Sequence, residues 1–180
     1  MARRRAHRAA TTCWLFLVAL VLSVPSRVSA QEQHQPSLLG DIARKVVIDP
    51  TTYLPAIIAY DAMRQDWQTS QPFFQHGFNE RNPRYTASGL PNDVPLSYGA
   101  GNRRVLTDAL FNLGTSAVNN ATGHIIERVL VERYPAHRRI WRALGWAERI
   151  SFASYMSYRL SIEHYRQAGW NERVARQQGW

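Results

Sequence analysis

Beyond residue 36, apolar side chains recur at helical spacing along most of the chain, in four segments separated by proline- and glycine-containing breaks. SLLGDIARKVVID places Leu38, Leu39, Ile42, Val46 and Val47 on the steps of a short amphipathic helix that ends near Asp49-Pro50. TTYLPAIIAYDAMRQDW follows. Thr51 or Thr52 can cap it, Pro55 falls in its first turn where a missing N–H costs nothing, and Leu54, Ile57, Ile58, Met63 and Trp67 form its buried side. The spacing predicts a helix over 53–69.

The third segment starts at Asn102, a suitable N-cap, and predicts a helix over 103–134. Leu106, Leu110, Leu113, Ala117, Asn120, His124 and Val131 fall on one face, with Phe111, Val118 and Ile125 as a second stripe. Pro135 disfavours helical geometry at Tyr134 and breaks the pattern. A last helix is predicted over 138–168, with a row of mostly small residues: Ala143, Ala147, Ile150, Ser154, Ser157, Ser161, His164 and Ala168. Small side chains in a row let a partner helix approach closely. Leu144, Phe152, Tyr155, Met156, Tyr158, Leu160 and Ile162 flank the row, so the middle of this helix is expected to be buried on every side.

The expected fold is mainly α. Two long antiparallel helices, 103–134 and 138–168, carry two shorter helices packed on them, and residues 37–168 make a single domain with a tail over 169–180. Periodicity stops over 71–102, which holds Pro72, Pro83, Pro91, Pro95 and several glycines. Residues 85–98 can form a small β-hairpin there, with Pro95 confining its strand to an edge. Phe73, Phe74, Phe78 and Tyr85 are expected to pin this loop onto the helices.

Composition changes the picture at the N-terminus. Arg3, Arg4, Arg5 and Arg8 precede an apolar run from Cys13 to Val24 and the small-residue ending Val28-Ser29-Ala30. That layout is a secretory signal peptide cleaved after Ala30, followed by a polar leader over 31–36; retention as an anchor is the alternative. The run is shorter than the ~20 residues a spanning helix needs. The expectation is export to the periplasm or beyond, with membrane association as a possibility. Cleavage would remove five arginines and no acid. A net charge of +9 then falls to +4, with 17 Lys and Arg against 13 Asp and Glu, so the basic balance of the whole chain does not argue for nucleic acid. Cys13, the only cysteine, leaves too, and disulfides, thiolate metal sites and cysteine nucleophiles leave with it. Asn120-Ala121-Thr122 is formally a glycosylation sequon but lies inside a predicted helix. The terminal Trp180 follows VARQQG, which lacks the alternation of a barrel's closing strand.

Few residues then point to chemistry. His124 and Glu127, three apart, could share a metal, but the two Glu-x-x-His pairs and extra carboxylates of a helical di-metal site are missing. Asn120 and His124 are instead expected to hydrogen-bond across to Ser154, Ser157 and Ser161. SYGAGNRR sets glycines, a helix start, Arg103 and Arg104 together, a combination suited to phosphate or carboxylate. With His76, Arg81 and Arg84 these form a candidate anion site in the 73–104 loop. RYPAHRRIWR collects Arg133, His137, Arg138, Arg139 and Arg142 at the helical turn beside Tyr134 and Trp141. Anionic lipid or envelope polymer would suit that turn. No G-x-S-x-G elbow is present, and no catalytic residue, metal or cofactor is assigned.

The resulting expectation is an exported helical envelope protein that works by binding or by helix-packed association with a protein partner. One rival inserts the long-helix hairpin in a bilayer, with its basic turn on the cytoplasmic side. The other is an enzyme or small-anion binder using the 73–104 loop.

Overall fold

Asp49-Pro50 and Tyr134-Pro135 are the two places where the chain turns sharply between helices, as their prolines require. The computed structural model describes residues 37–180, so the signal segment and the polar leader lie outside the described residues. The fold is mainly α. Four helices follow one another: α1 (Leu38–Ile48), α2 (Leu54–Gln75), α3 (Tyr98–Arg133) and α4 (Arg138–Gln178).

α1 ends where Asp49 caps a short 3-10 turn, its carboxylate accepting the N–H and the hydroxyl of Thr51 at 3.0 and 2.6 Å. α2 starts at Leu54 with Pro55 in its first turn and runs six residues past the expected end at 69. Pro72 is carried inside it. Thr69, Ser70 and Gln71 donate side-chain hydrogen bonds to the carbonyls of Gln65, Asp66 and Trp67, which holds the turn before the proline together.

Phe73, Phe74 and Phe78 therefore belong to a helix end. Gly77 takes a left-handed backbone (φ 83°). Its N–H bonds to Phe74 O and that of Phe78 to Phe73 O, both at 3.1 Å, and the Phe73 and Phe78 rings meet edge to face. This is a Schellman cap with its usual hydrophobic contact. α4 ends the same way, with Gly179 at φ 75° and Trp180 N–H bonded to Ala175 O.

The connection from α2 to α3 pairs with itself at two isolated antiparallel bridges, Glu80 with Asp93 and Thr86 with Pro95. The expected hairpin goes no further, and no strand forms among the described residues; Pro95 has no N–H to extend the ladder. α3 starts at Tyr98 under a Ser97 cap, so Asn102 lies inside the helix. The glycines there have a packing role. Trp67 donates its indole N–H to Tyr98 O at 3.2 Å, and a Cβ on Gly101 would overlap its ring.

The pairings fix the directions of the helices. α2 and α4 run parallel, since Asp61 meets Tyr165 and Ser70 meets Asn171. α3 runs against both, with Trp67 beside Gly101 and Thr52 beside Asn120. The two long helices α3 and α4 pack antiparallel as expected, and α2 packs on both of them, most extensively on α4, to make an up-down-up bundle.

The core is built from small side chains around a few large ones. Ala59, Met63, Trp67, Tyr85, Val105 and Ala109 form its centre. On α3 the buried row is Gly101, Val105, Ala109, Ser116, Asn120 and His124, one residue before the expected Leu106 and Leu110. Those two leucines, Phe111 (75% exposed) and Val118 face solvent. On α4 the expected row holds from Ser157 onward, through Ser161 and Ala168, and continues to Asn171 and Ala175 where a tail was expected. Upstream it slips by one to Arg149 and Ala153, leaving Ala143, Ala147 and Ser154 exposed. A straight helix drifts about 20° per heptad against a 3.5-residue repeat, which is enough to move the face. Tyr155 and Tyr158 are exposed as well, so the middle of α4 is buried on one side only. Only Ile42 of the apolar set on α1 is buried, and on α2 Ala56, Ala59 and Ala62 replace Leu54 and Ile57.

Candidate functional site

The parallel pair α2–α4 and the loop that follows α2 border an open cavity of about 640 Å³. Trp67, Phe73, Phe74 and Tyr85 line it on the α2 and loop side, with Phe78 and Trp170 at its edge. The rings form two groups, one around Trp67 and one around Phe73. Trp67 lies 5.6 Å from both Phe74 and Tyr85, and Phe73 stacks on Trp170 at 5.9 Å. Trp170 and Phe78 remain 50% and 54% exposed, so apolar ring surface is open to solvent at the rim.

The polar lining comes from α2 (Asp66, Ser70), from the loop (Asn79 to Asn82) and from α4 (Glu163, His164, Gln167, Asn171). His164 donates from Nδ1 to Asp66 Oδ2 at 2.7 Å, which leaves Nε2 of a neutral ring as an acceptor. Asn171 donates to Ser70 Oγ at 2.9 Å and to Thr69 Oγ1 at 3.3 Å, tying the helices together below the cavity. Glu80 accepts the Asn82 N–H at 2.7 Å. Burial pushes its carboxyl above the usual range, and the nearby Asp66 charge adds to this. Burial also pushes the Tyr85 phenol up to about 12, so it stays neutral, with its O–H directed at Met63 Sδ 3.8 Å away. An Asp–His pair in a cavity is the orienting half of a nucleophilic relay. Among the described residues, however, no hydroxyl is hydrogen-bonded to the His164 ring.

A second polar cluster is buried where α1, the Pro50–Thr52 turn, α3 and α4 meet. Arg149, 5% exposed, donates from Nε to Asp49 at 2.9 Å and from Nη1 to Glu127 at 3.0 Å. Asn120 is fully buried and donates to the hydroxyls of Thr51 and Thr52, both at 2.8 Å. His124 Nε2 lies 3.5 Å from Asp49 Oδ2. Asn120 and His124 thus face the turn before α2, not the serine row, because α3 meets that turn on this face. Burial and the Arg149 guanidinium hold the His124 imidazole below its ordinary value. Burial acts to raise Asp49, but the Thr51 donors and Arg149 outweigh it and hold the carboxyl below the usual range. Two carboxylates around one guanidinium, all inside the bundle, make a structural tie. Among the described residues no group of three His, Cys, Asp or Glu is placed to hold a metal ion.

The five residues of the expected anion site have separate surroundings. Of them, Arg81 lines the cavity. His76 donates from Nδ1 to Pro72 O at 2.7 Å and lies flat on Trp180. Arg84 makes a two-pronged ion pair with Asp108. Arg103 is exposed on the first turns of α3, and Arg104 is half-buried there. At the opposite end of the bundle Arg133, His137, Arg138, Arg139 and Arg142 are all exposed. Among the described residues no carboxylate lies within 4.0 Å of these five, while Arg133 stands over the Tyr134 ring at 5.8 Å. No helix among the described residues is long and apolar enough to cross a membrane.

Asp66, Glu80 and His164 were not singled out by sequence reasoning, although a signal existed. His164 falls on the small-residue row of α4, and a polar residue on a packing row must meet a polar partner on the facing helix. Asp66 and Ser70 offered that partner on α2, but the expected packing of α4 on α3 hid the match. Comparison with protein-family models, curated proteins and solved structures gives no match for this chain.

Proposed function

We propose that this chain is an exported α-helical protein of the cell envelope that works by binding, and that the cavity between α2, the 76–97 loop and α4 is its ligand site. One observation carries the reading. A loop of more than twenty residues is tied down by two bridges, a capped 3-10 turn and the buried Tyr85, and it walls a cavity with Phe78, Tyr85 and the polar Asn79, Glu80, Arg81 and Asn82, opposite the rings of α2. Long loops without regular structure are uncommon unless functional, and an apolar cavity with convergent polar groups is the usual form of a small-molecule site. Export is supported by the arginine-rich start, the apolar run and the Val28-Ser29-Ala30 ending. The test is ligand-observed NMR with a fragment set rich in small aromatic alcohols and amines, run on the wild type and on Trp170→Ala. Fragments that bind the wild type and lose binding in the variant support the reading. Equal binding to both proteins, or none to either, counts against it.

A second reading rests on the unpaired basic end. Arg133, Arg138, Arg139 and Arg142, flanked by Tyr134 and Trp141, suit an anionic envelope surface, which aromatic and arginine side chains bind together. Co-sedimentation with phosphatidylglycerol vesicles but not phosphatidylcholine vesicles, abolished by charge removal at these four positions, is the expected result. Equal pelleting with both lipids would exclude it.

A further inference from the structure

We infer that the cavity's ligand carries an organic cation, a quaternary or protonated amine seated among the aromatic rings and facing Asp66 and Glu80. The inference rests on the reading of this cavity as a ligand site. Its first support is the sign of the lining charge. Asp66, Glu80 and Glu163 border the cavity, against Arg81 and His164. Glu163 is exposed and paired with Arg166 at 2.9 Å, so the remaining balance is −1 with His164 neutral and zero with His164 protonated; it is not positive in either state. An anionic ligand would meet repulsion here, whereas a cation would meet both carboxylates and the negative faces of the rings.

The second support is what already satisfies each charge. Arg81 has no ion-pair partner among the described residues and is exposed, so its guanidinium is solvated. Asp66 is held by His164, while Glu80 is answered by the backbone N–H groups of Asn82 and Arg81 and, more weakly, by His164, with no ion pair of its own among the described residues. Those two donors do not offset the burial of its carboxyl, which stays harder to ionise than usual. A bound ammonium group supplies the missing counter-charge. The rings pack directly on one another, Trp67 on Phe74 and Tyr85 and Phe73 on Trp170, so a cation is met by the ring surface that faces the cavity, with the half-exposed Trp170 and Phe78 at the rim.

The experiment is isothermal calorimetry on the full-length chain with choline and with its uncharged isostere 3,3-dimethylbutan-1-ol, using benzyl alcohol as an uncharged aromatic probe. The expected result is choline binding at least tenfold tighter than the isostere. Glu80→Gln keeps an acceptor for the Asn82 N–H and is expected to weaken choline about tenfold while leaving the isostere unchanged. Should that variant lose its fold, Glu163→Gln, on the exposed rim, is expected to shift choline alone in the same direction by a smaller factor. Equal affinity for choline and its isostere would overturn the cation inference and leave the ligand-site reading standing, provided that benzyl alcohol binds. Absence of binding by all three probes would overturn both.

Discussion

His76 lies flat on Trp180, with ring centroids 4.0 Å apart and planes 10° from parallel. The two residues follow the ends of α2 and α4, which run parallel and finish side by side with the same glycine cap. Trp180 also meets Phe73 and Phe78 edge on, so one indole clamps both caps and braces two rings of the cavity wall. Trp180→Ala is expected to lower stability by about 1–2 kcal/mol through lost ring contacts. It should also weaken fragment binding in the cavity. Chemical denaturation and the NMR binding assay check the two effects separately.

The caps themselves require glycine. Gly77 has open space for a Cβ but a left-handed backbone that an L side chain adopts at a cost. Gly77→Ala should therefore destabilise by about 1 kcal/mol, and Gly77→Asn by less. Gly101→Ala acts differently, through overlap with the Trp67 indole. Its expected cost is about 1–3 kcal/mol or more, with a shifted Trp67 emission spectrum as the accompanying sign.

Arg149 joins Asp49 and Glu127 from 100 and 22 positions away in the chain. Removing it leaves two half-buried carboxylates without their shared guanidinium. Arg149→Ala should cost about 3–5 kcal/mol. A triple replacement of Asp49, Glu127 and Arg149 by apolar residues of similar volume should cost far less than the single change, and thermal unfolding of the two variants distinguishes these outcomes.

Acid should loosen the bundle in two steps. The His124 imidazole titrates below its ordinary 6.5 in the folded chain, so its contribution is full above 6.5 and is lost as pH falls through the folded value. Asp49 titrates below its ordinary 3.8, and its contribution is lost as pH falls through that lower value. Glu80 acts in the opposite sense. Its carboxyl titrates above 4.5, so its contribution is present below 4.5 and is lost as pH rises through the folded value. Denaturant midpoints across pH 3–8 should fall toward acid in the wild type. His124→Gln should flatten the upper step, below 6.5, and leave the lower one; an unchanged profile would contradict this.

The helical class, the break at Pro135 and the irregular stretch around Pro83–Pro95 were legible from apolar spacing and proline alone. The faces were not. Large apolar residues such as Leu106, Leu110 and Phe111 marked the wrong side of α3, because closeness of packing at Gly101, Val105 and Ala109 decided which side faces inward. Proline misled at residue 72, where side-chain donors hold the turn. The aromatic run at 73–78 was rightly expected to anchor structure, but as a helix cap rather than as loop pins. The Asp66–His164 pair was hidden because it depends on α2 lying parallel to α4, which single-segment periodicity does not reveal.

The most direct test is site-resolved NMR of the tryptophan indole N–H signals during titration with benzyl alcohol and with choline. Trp67 and Trp170 line the cavity, while Trp141 and Trp146 lie at the far end of the bundle. Saturable shifts of the Trp67 and Trp170 signals, with Trp141 and Trp146 unmoved, are the predicted result. Shifts of equal size at all four, or none at Trp67 and Trp170 with either probe, would contradict the account.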